Sequence, residues 1–532
     1  MRGTTAEPAS SGVPSVRVSE KALMDEAYEQ WQENAALRAK QDRLEAVLRR
    51  RHKPTIPRSM RQRARPVYAD ILGEKLEKGK VLICEPDGPR ILVAANSDNL
   101  DQQKLQVELR EWLAGGFRYN DLRSTRPFYQ MIAEDLLLRG YAAALVLPNP
   151  GAWADMPTVD LSDLDNLEDQ RKAIKETQDR QTAYQRSIFP IRMEWAPAAG
   201  LIPIEGWDGL SEMWDFRELP VKDVLSRFRD GKKPRATRLA AAVENGVLTR
   251  RDMVTLLLRS DGDRLQIATL GLMLDRNTRQ RADMRQHGID QLLFDEEHGM
   301  GEVPYAWFSG RETTSDDPED RYKGLLDSIE TLAQAYDDML TQLYAAGRIA
   351  AYPTMVLEAT EKAGPIGSAG KPPALKLEEG TVNRLPQGYK LTNPQWTNSS
   401  DMGVLANGAK EFLRQIEMHT FQPAAYGDQG ANSGYLQQQL DAATKQVLEP
   451  FLTGQSKGYT RMAHLMFCAG AALIRGGSGP IPVRVAGGDG NEWRTLREAH
   501  LRWTWTIQAE TRMQPTGGKA AQVQVQQTMV QA

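Results

Sequence analysis

The sequence is poor in cysteine, has no long apolar run and carries no excess of one charge sign. The two cysteines among 532 residues, Cys84 and Cys468, form no CxxC pair. This excludes a disulfide-stapled secreted module and a zinc ribbon, and it favours a reducing compartment. We interpret both thiols as small buried hydrophobes. The longest mostly apolar stretch, Met462 to Ile474, is shorter than the roughly 18 to 20 residues that cross a bilayer, so no membrane partner is expected.

The charge balance is nearly neutral, with 67 basic and 70 acidic residues and a formal net charge of −3. Such a balance excludes a protein that wraps nucleic acid by bulk charge, although not one that lets nucleic acid pass. The main local exception is a basic run at 49–65, which contains no acid and is interrupted by Pro54 and Pro57. A solvated linker and a contact with nucleic acid or an acidic neighbour both remain open. We favour the linker, because no aromatic residue lies in the run to stack on bases.

Motifs of catalysis are missing as well. The six histidines are scattered without an HExxH motif, and the sequence has no GxSxG elbow and no GxGxxG after a strand. Gly370-Lys371 is followed by proline where a phosphate-binding loop needs Ser or Thr. We therefore expect no catalytic residues, no metal, no cofactor and no enzymatic activity. One alternative is a metal-dependent DNA-processing enzyme that holds Mg²⁺ with the acids at 295–297 or 316–320. A second is a helical scaffold protein without a nucleic-acid partner.

Apolar periodicity predicts the order of the elements. In the first half we expect a hairpin over 80–95, a helix over 127–139 that stops at Gly140 before the strand YAAALVLP, and a polar helix over 166–187. In the second half, the start signal Asp317-Pro318-Glu319 predicts a helix over 318–347. An insert with a strand-like YPTMVLEA follows, then a helix over 400–420, a Gly- and Gln-rich loop and a long helix over 435–474. Pro450 predicts a kink or an interruption of the last helix.

The helix predicted from 318 is apolar over a wide face. Two bracketing helices must carry the chain out to the insert and back, so the insert should lie at the tip of a helical stalk. A slim hairpin cannot cover the whole apolar face, which predicts that a large core or adjacent subunits do. The candidate interface residues on this face are Leu326, Leu332 and Leu340.

Four weak motifs occur in a fixed order along residues 65–510. They are the helix with Asp135 and Gly140 before an apolar strand, the strand 303–308 leading into DPEDRYKGLLDSIETLAQAYDDML, the turn Leu385-Pro386-x-Gly388, and Asn432-Ser433-Gly434-Tyr435-Leu436 at the start of a long helix. Together they resemble the portal proteins of tailed bacteriophages, the rings through which DNA enters and leaves the capsid.

The resemblance implies a helix-rich α+β fold with the parts of a portal. An N-terminal helix and basic arm would occupy 1–64, a mixed α/β wing 65–317, the stem helices 318–348 and 398–420, and a small β-containing clip 349–397. A tunnel loop would occupy 421–434, and a long kinked spine helix with returning wing strands 435–510. A short or truncated crown would begin at 511.

The resemblance also implies the partners and the location. Twelve copies would form a cyclic ring at one vertex of the virion capsid after assembly in the host cytoplasm. Double-stranded DNA would pass through without sequence readout, and the terminase motor, head-tail adaptor proteins and the major capsid or scaffolding protein would dock on the ring. The candidate channel residues are Arg348, Lys410, Arg414, Gln422, Tyr426, Gln429 and Asn432. The candidate partner-binding residues of the clip are Lys371, Lys376 and Arg384. Ordinary solvated helix surface is the alternative for the three basic channel candidates, and a plain connector is the alternative for the loop.

Overall fold

The fold is described from a computed structural model of the chain. The described residues are 19–55, 65–84, 88–96, 100–124, 126–149, 166–207, 209–230, 233–274, 281–283, 288–315, 317–351, 356–359, 389–392, 399–421, 434–478, 480–487, 490–502 and 505–513.

The described residues form an α+β fold. The helices are α1 (Glu20–Glu33), α2 (Ala35–Leu48), α3 (Ile71–Ile83), α4 (Leu100–Arg123), α5 (Phe128–Arg139), α6 (Leu167–Ser187), α7 (Val221–Arg227), α8 (Thr237–Glu244), α9 (Pro318–Arg321), α10 (Glu330–Ala351), α11 (Ser399–His419), α12 (Gly434–Leu473) and α13 (Glu498–Arg502).

The strands are mostly short and are all paired antiparallel. They are β1 (Arg90–Ala95), β2 (Tyr141–Pro148), β3 (Ile191–Ala196), β4 (Leu201–Gly206), β5 (Gly209–Pro220), β6 (Arg229–Asp230), β7 (Lys233–Pro234), β8 (Met253–Asp261), β9 (Arg264–Leu270), β10 (Leu272–Leu274), β11 (Arg281–Asp283), β12 (Gln291–Glu297), β13 (Tyr305–Ser309), β14 (Arg311–Glu312), β15 (Tyr322–Lys323), β16 (Val356–Ala359), β17 (Tyr389–Thr392), β18 (Ile481–Gly487), β19 (Gly490–Leu496) and β20 (Trp505–Glu510).

The chain folds into two compact units. The large unit takes the described residues of 1–42, 79–324 and 448–532, and the small unit takes those of 43–78 and 325–447. The large unit contains a five-stranded sheet in the order β12-β9-β8-β5-β4 and a three-stranded sheet in the order β13-β2-β3. The small unit contains α10, α11 and the β16–β17 pair.

The five-stranded sheet is buried on both faces. Neighbouring residues of a strand point to opposite sides, so Met213 and Trp214 of β5 enter different cores. One core is closed by α7, α8 and the three-stranded sheet. The other is closed by apolar residues of α1, among them Leu23 and Trp31. This double burial explains why β8 is buried along nearly its whole length.

Local sequence signals fix several elements correctly. The predicted helix over 127–139 is confirmed as α5, and Gly140 ends it in the left-handed conformation with φ 82°. The polar helix α6 and the helix α11 are also confirmed. Each of these segments carries its stop signal or its apolar period within its own sequence.

The predicted hairpin over 80–95 is wrong. Residues 81–83 are the last turn of α3, and Ile83 is buried there. The second expected strand is present as β1, but it pairs antiparallel with β20, with Val93 opposite Ile507. The partner of β1 lies more than 400 residues away, so the turn-like sequence at 86–89 did not indicate the pairing.

The helix predicted over 318–347 is also different. Only α9 forms at its start, then Tyr322 and Lys323 pair as a strand with Arg311 and Glu312, and the long helix α10 begins at Glu330. The residue after this strand, Gly324, lies with its backbone against the α5 terminus: an added Cβ would be 2.5 Å from the Leu138 carbonyl oxygen.

The long helix α12 continues through Pro450, so the interruption expected there is absent. Gly454 and Gly458 of this helix allow strand β13 to lie directly against it. A Cβ on Gly454 would be 1.7 Å from the Ser309 carbonyl oxygen, and one on Gly458 would be 2.1 Å from the Phe308 ring. None of the helices in the described part of the chain combines the length and hydropathy that crossing a bilayer requires.

Candidate functional site

The small unit is built on a helical hairpin. Helices α10 and α11, of 22 and 21 residues, are each about 32 Å long and pack on each other. Small residues allow the close approach: Ala345, Ala346 and Ala409 are buried, and a Cβ on Gly408 would lie 2.6 Å from the Met339 methyl group. Two helices are thus present on either side of the insert, as predicted.

A short antiparallel ladder closes the insert between these two helices. Strand β16 begins five residues after α10 and pairs with β17, so that Val356 lies opposite Thr392 and Ala359 lies opposite Tyr389. The chain therefore leaves α10 and returns to α11 through adjacent strands. The clip candidates Lys371, Lys376 and Arg384 lie between the strands, outside the described residues.

The three candidate interface residues divide into two kinds. Leu332 and Leu340 lie on α10 and are partly exposed in the single chain. Leu326 lies before the helix and is 0% exposed. The assignment of Leu326 to a subunit interface is therefore wrong, because a side chain that the chain itself buries cannot touch a neighbour.

The three basic channel candidates of the helices are exposed. Lys410 and Arg414 are one turn apart on α11, and Arg348 is in the last turn of α10. The guanidinium of Arg414 pairs with the carboxylate of Glu411 at 2.8 Å and 3.0 Å, which partly neutralises its charge. Exposed charge on one stripe of α11 is compatible with a channel lining and equally with solvated surface. The loop candidates, Gln422, Tyr426, Gln429 and Asn432, lie outside the described residues.

Two arginines at the start of the basic run pair with acids of the small unit. Arg49 pairs with Glu45 on α2, and Arg50 Nη2 lies 2.5 Å from an Asp70 oxygen. The backbone N–H of Thr55 donates to Asp338 of α10. These contacts favour the linker interpretation over a contact with nucleic acid, because this part of the run is attached to its own unit.

Asp337 is the centre of that attachment. One carboxylate oxygen accepts a hydrogen bond from the Ala69 backbone N–H at 2.8 Å, and the other lies 3.1 Å from His52 Nε2. Burial raises the pKa of Asp337, while the Ala69 N–H and His52 oppose that rise. One turn further along α10, Thr341 Oγ1 accepts from the Val67 N–H at 3.0 Å. The segments on both sides of 56–64 are thus fixed to the same helix.

Of the acids in the nuclease alternative, Asp316 lies outside the described residues, and the others do not come together as a metal site. Asp295 makes a two-pronged ion pair with Arg264, at 2.6 Å and 2.5 Å, and Asp295 and Glu296 point to opposite faces of β12. Asp320 pairs with Lys323. Arg264 occupies both oxygens of Asp295, and Glu296 lies on the other face of the strand, so the two carboxylates cannot bind one Mg²⁺ ion together.

A different cluster of possible metal ligands, which no sequence motif indicates, lies in the large unit. His464 and Cys468 are one turn apart on α12, and Glu302 lies in the segment before β13. Glu302 Oε1 is 3.1 Å and Cys468 Sγ is 3.6 Å from the same atom, His464 Nε2. Hydrogen bonds with Cys468 and Glu302 raise the pKa of His464 to about 9. The hydrogen bond with His464 lowers the pKa of Glu302 to about 2, helped by Arg461.

Both thiols depart from the expectation of buried hydrophobes, since Cys84 and Cys468 are partly exposed. The spacing of His464 and Cys468 was the available signal, because positions i and i+4 share one helix face. Glu302 could not be found from spacing, as it lies 162 residues away.

Comparisons with known proteins identify no family: no protein-family model matches this chain, and no curated protein matches it either.

Proposed function

We propose that this chain is a portal protein of a tailed bacteriophage. In this proposal twelve copies form a ring at one capsid vertex, double-stranded DNA passes through the centre, and the packaging motor and the head-tail adaptors dock on the insert between α10 and α11. In this role the protein forms the channel for DNA and catalyses no reaction.

The observation that carries the proposal is the β16–β17 strand pair that lies in the chain between the two helices of the hairpin. The β16–β17 ladder holds the two ends of the insert side by side, and α10 and α11 pack on each other. An insert of 29 residues, 360–388, between paired strands at the end of two helices is the arrangement that the resemblance expects for a clip on a stem.

The exposed surface of α10 supports assembly of several copies of the chain. Its partly exposed apolar residues include Leu332, Tyr336, Leu340 and Leu343, which recur at helical spacing and so form one stripe. In a cyclic ring each subunit's front meets the next subunit's back, so a second copy would cover this stripe. Covering it would remove apolar surface from water at about 25 cal/mol per Å².

The charge of the chain suits passage of DNA better than retention. Each phosphate that a lysine or arginine neutralises adds affinity that depends on salt. A net charge of −3 per chain leaves the ring as a whole acidic. A few exposed cations such as Lys410 would then provide weak contacts that repeat around the channel.

Leucine-to-aspartate substitutions on the α10 stripe test the assembly. We expect Leu332→Asp and Leu340→Asp to abolish rings in negative-stain images while the circular dichroism of the chain stays unchanged. The reason is that both side chains are partly exposed in the single chain, so a charge there costs most when a neighbour must bury it. The unmodified chain should give rings with a central hole as wide as a DNA duplex.

Thr331→Asp is the matched control, because Thr331 lies next to Leu332 but is exposed. It should leave the rings intact. Rings that persist in both leucine variants would refute the α10 interface, and an unmodified chain that stays monomeric at every concentration and salt would refute the portal proposal. Leu326→Asp is unsuitable for this purpose, because it would disturb folding first.

A further inference from the structure

We propose that Glu302, His464 and Cys468 bind one Zn²⁺ ion. The ligand atoms are Glu302 Oε1, His464 Nε2 and Cys468 Sγ, all three in the large unit, and the inference is independent of the proposed portal function. These atoms lie within 4.8 Å of one another.

The spacing of the donors matches the geometry of zinc. Zinc binds sulfur at about 2.3 Å and imidazole nitrogen or carboxylate oxygen at about 2.0–2.2 Å, with tetrahedral angles. Ligand atoms around one such ion are therefore separated by about 3.3 to 3.6 Å. Here the nitrogen-to-oxygen distance is 3.1 Å and the nitrogen-to-sulfur distance is 3.6 Å. The third pair, Glu302 Oε1 and Cys468 Sγ, lies within 4.8 Å and would be separated by about 3.6 Å around the bound ion.

The same geometry argues against a proton relay. In a nucleophile–histidine–carboxylate relay, the nucleophile and the carboxylate contact different nitrogens of the imidazole ring. In this cluster the thiol and the carboxylate both approach Nε2. The three ligand atoms thus lie close together, within 4.8 Å of one another, as the ligands of one metal ion must.

The chemistry of the donors selects a borderline-soft ion. A thiolate and an imidazole favour zinc over Mg²⁺ and Ca²⁺, which prefer oxygen ligands. The thiolate and the carboxylate together would supply two negative charges for the divalent ion. Arg461 Nη1 lies 2.6 Å from Glu302 Oε2, the other oxygen of the carboxylate. This contact orients Glu302 so that Oε1 is left for the metal, which is the usual role of groups around a ligand.

A cavity of about 240 Å³ adjoins the cluster. His464 and Cys468 line it, together with Met300, Phe467 and Trp505. The cavity leaves room for a water molecule as the fourth ligand, which gives three protein ligands and one open position. Bound zinc would attach the segment before β13 to α12, in addition to the packing between them.

Cobalt titration of the full-length chain tests the site. Co²⁺ takes tetrahedral zinc sites, and a Co²⁺–thiolate bond gives a charge-transfer absorption band. After removal of metal by a chelator and with the thiols kept reduced, we expect one Co²⁺ per chain with this band. Stoichiometric Zn²⁺ should abolish the band by displacing Co²⁺, and millimolar Mg²⁺ should not. Zn²⁺ should also raise the melting temperature of the chain.

Single substitutions assign the ligands. Cys468→Ser should remove the charge-transfer band, and His464→Gln should weaken Co²⁺ binding by roughly 100-fold or more, beyond the 10- to 100-fold that loss of an outer partner costs. Cys84→Ser is the matched control, because the chain has only these two cysteines, and it should leave band and affinity unchanged. The Zn²⁺-dependent rise in melting temperature should disappear in Cys468→Ser. A cooperative melting transition of this variant would show that it is folded.

Three results would overturn the proposal. The first is an unmodified chain that binds no Co²⁺ at micromolar concentration. The second is a Cys468→Ser variant that keeps the charge-transfer band, and the third is a Cys84→Ser variant that loses it, because the thiolate ligand would then be elsewhere.

Discussion

Gly454→Ala is expected to lower the stability of the large unit by about 3 kcal/mol or more, near the upper end for an overpacked core. The added Cβ would lie 1.7 Å from the carbonyl oxygen and 2.7 Å from the carbonyl carbon of Ser309. Both atoms belong to the backbone of β13, which is held in its sheet by β2, so neither can swing away as the end of a side chain could. The strand and α12 would have to separate. Urea unfolding monitored by tryptophan fluorescence measures this loss of stability as a fall in the midpoint concentration of urea.

Gly115→Ala is the control for the intrinsic effect of the substitution. Gly115 lies inside α4 in the same unit, and nothing is within 4 Å of its added Cβ. Because alanine is the better helix former, this variant should gain about 0.5 to 1 kcal/mol. If Gly454→Ala proved as stable as Gly115→Ala, the close packing of α12 on β13 would be incorrect.

The helices that could be predicted from the sequence are those whose signals are local. The apolar period and the stop at Gly140 lie within α5 and the residues next to it, and α11 was found in the same way. The glycines of α12 give no such clear local signal, because a glycine in a helical sequence can mark either a break in the helix or a close approach of another segment. Only the position of β13 distinguishes the two, and that strand lies about 150 residues earlier in the chain.

The failed predictions share a dependence on distant partners. Residues 322–326 have helical apolar spacing, yet Tyr322 packs between Tyr141 and Trp307 and its backbone pairs with β14. Tertiary contacts override weak local preferences of this kind. The wrong placement of Leu326 at an interface follows from the same cause, since a wide apolar face does not reveal whether the chain itself or a neighbour covers it.

The candidate sites were predictable to different extents. The helical hairpin follows from local periodicity, and with it the partly exposed positions of Leu332 and Leu340. The Glu302–His464–Cys468 cluster does not, because its carboxylate comes from another part of the chain. A histidine and a cysteine at i and i+4 are by themselves a weak indication of a metal site, and the third ligand makes the indication specific.

Asp135 gives the other large expected effect: Asp135→Ala should destabilise the large unit by about 3 to 5 kcal/mol, the usual cost of removing one partner of a buried ion pair. The carboxylate is 2% exposed, pairs with Arg139, and accepts hydrogen bonds from Trp195 Nε1 at 2.8 Å and from the Ala198 N–H at 3.2 Å. It thereby joins α5 to β3 and the turn that follows. Burial raises its pKa, and Arg139 and these donors oppose that rise.

A double-mutant cycle separates the ion pair from the fold around it. Asp135→Ala combined with Arg139→Ala should cost clearly less than the sum of the single variants, because the second substitution removes the charge that the first deprives of its partner. Glu134→Ala is the matched control: its side chain is 44% exposed and pairs with Lys80, so it should cost less than about 1 kcal/mol. Strictly additive values for Asp135 and Arg139 would mean that the two groups do not interact. An equal cost at Glu134 and Asp135 would mean that Asp135 is not the buried junction between α5 and β3.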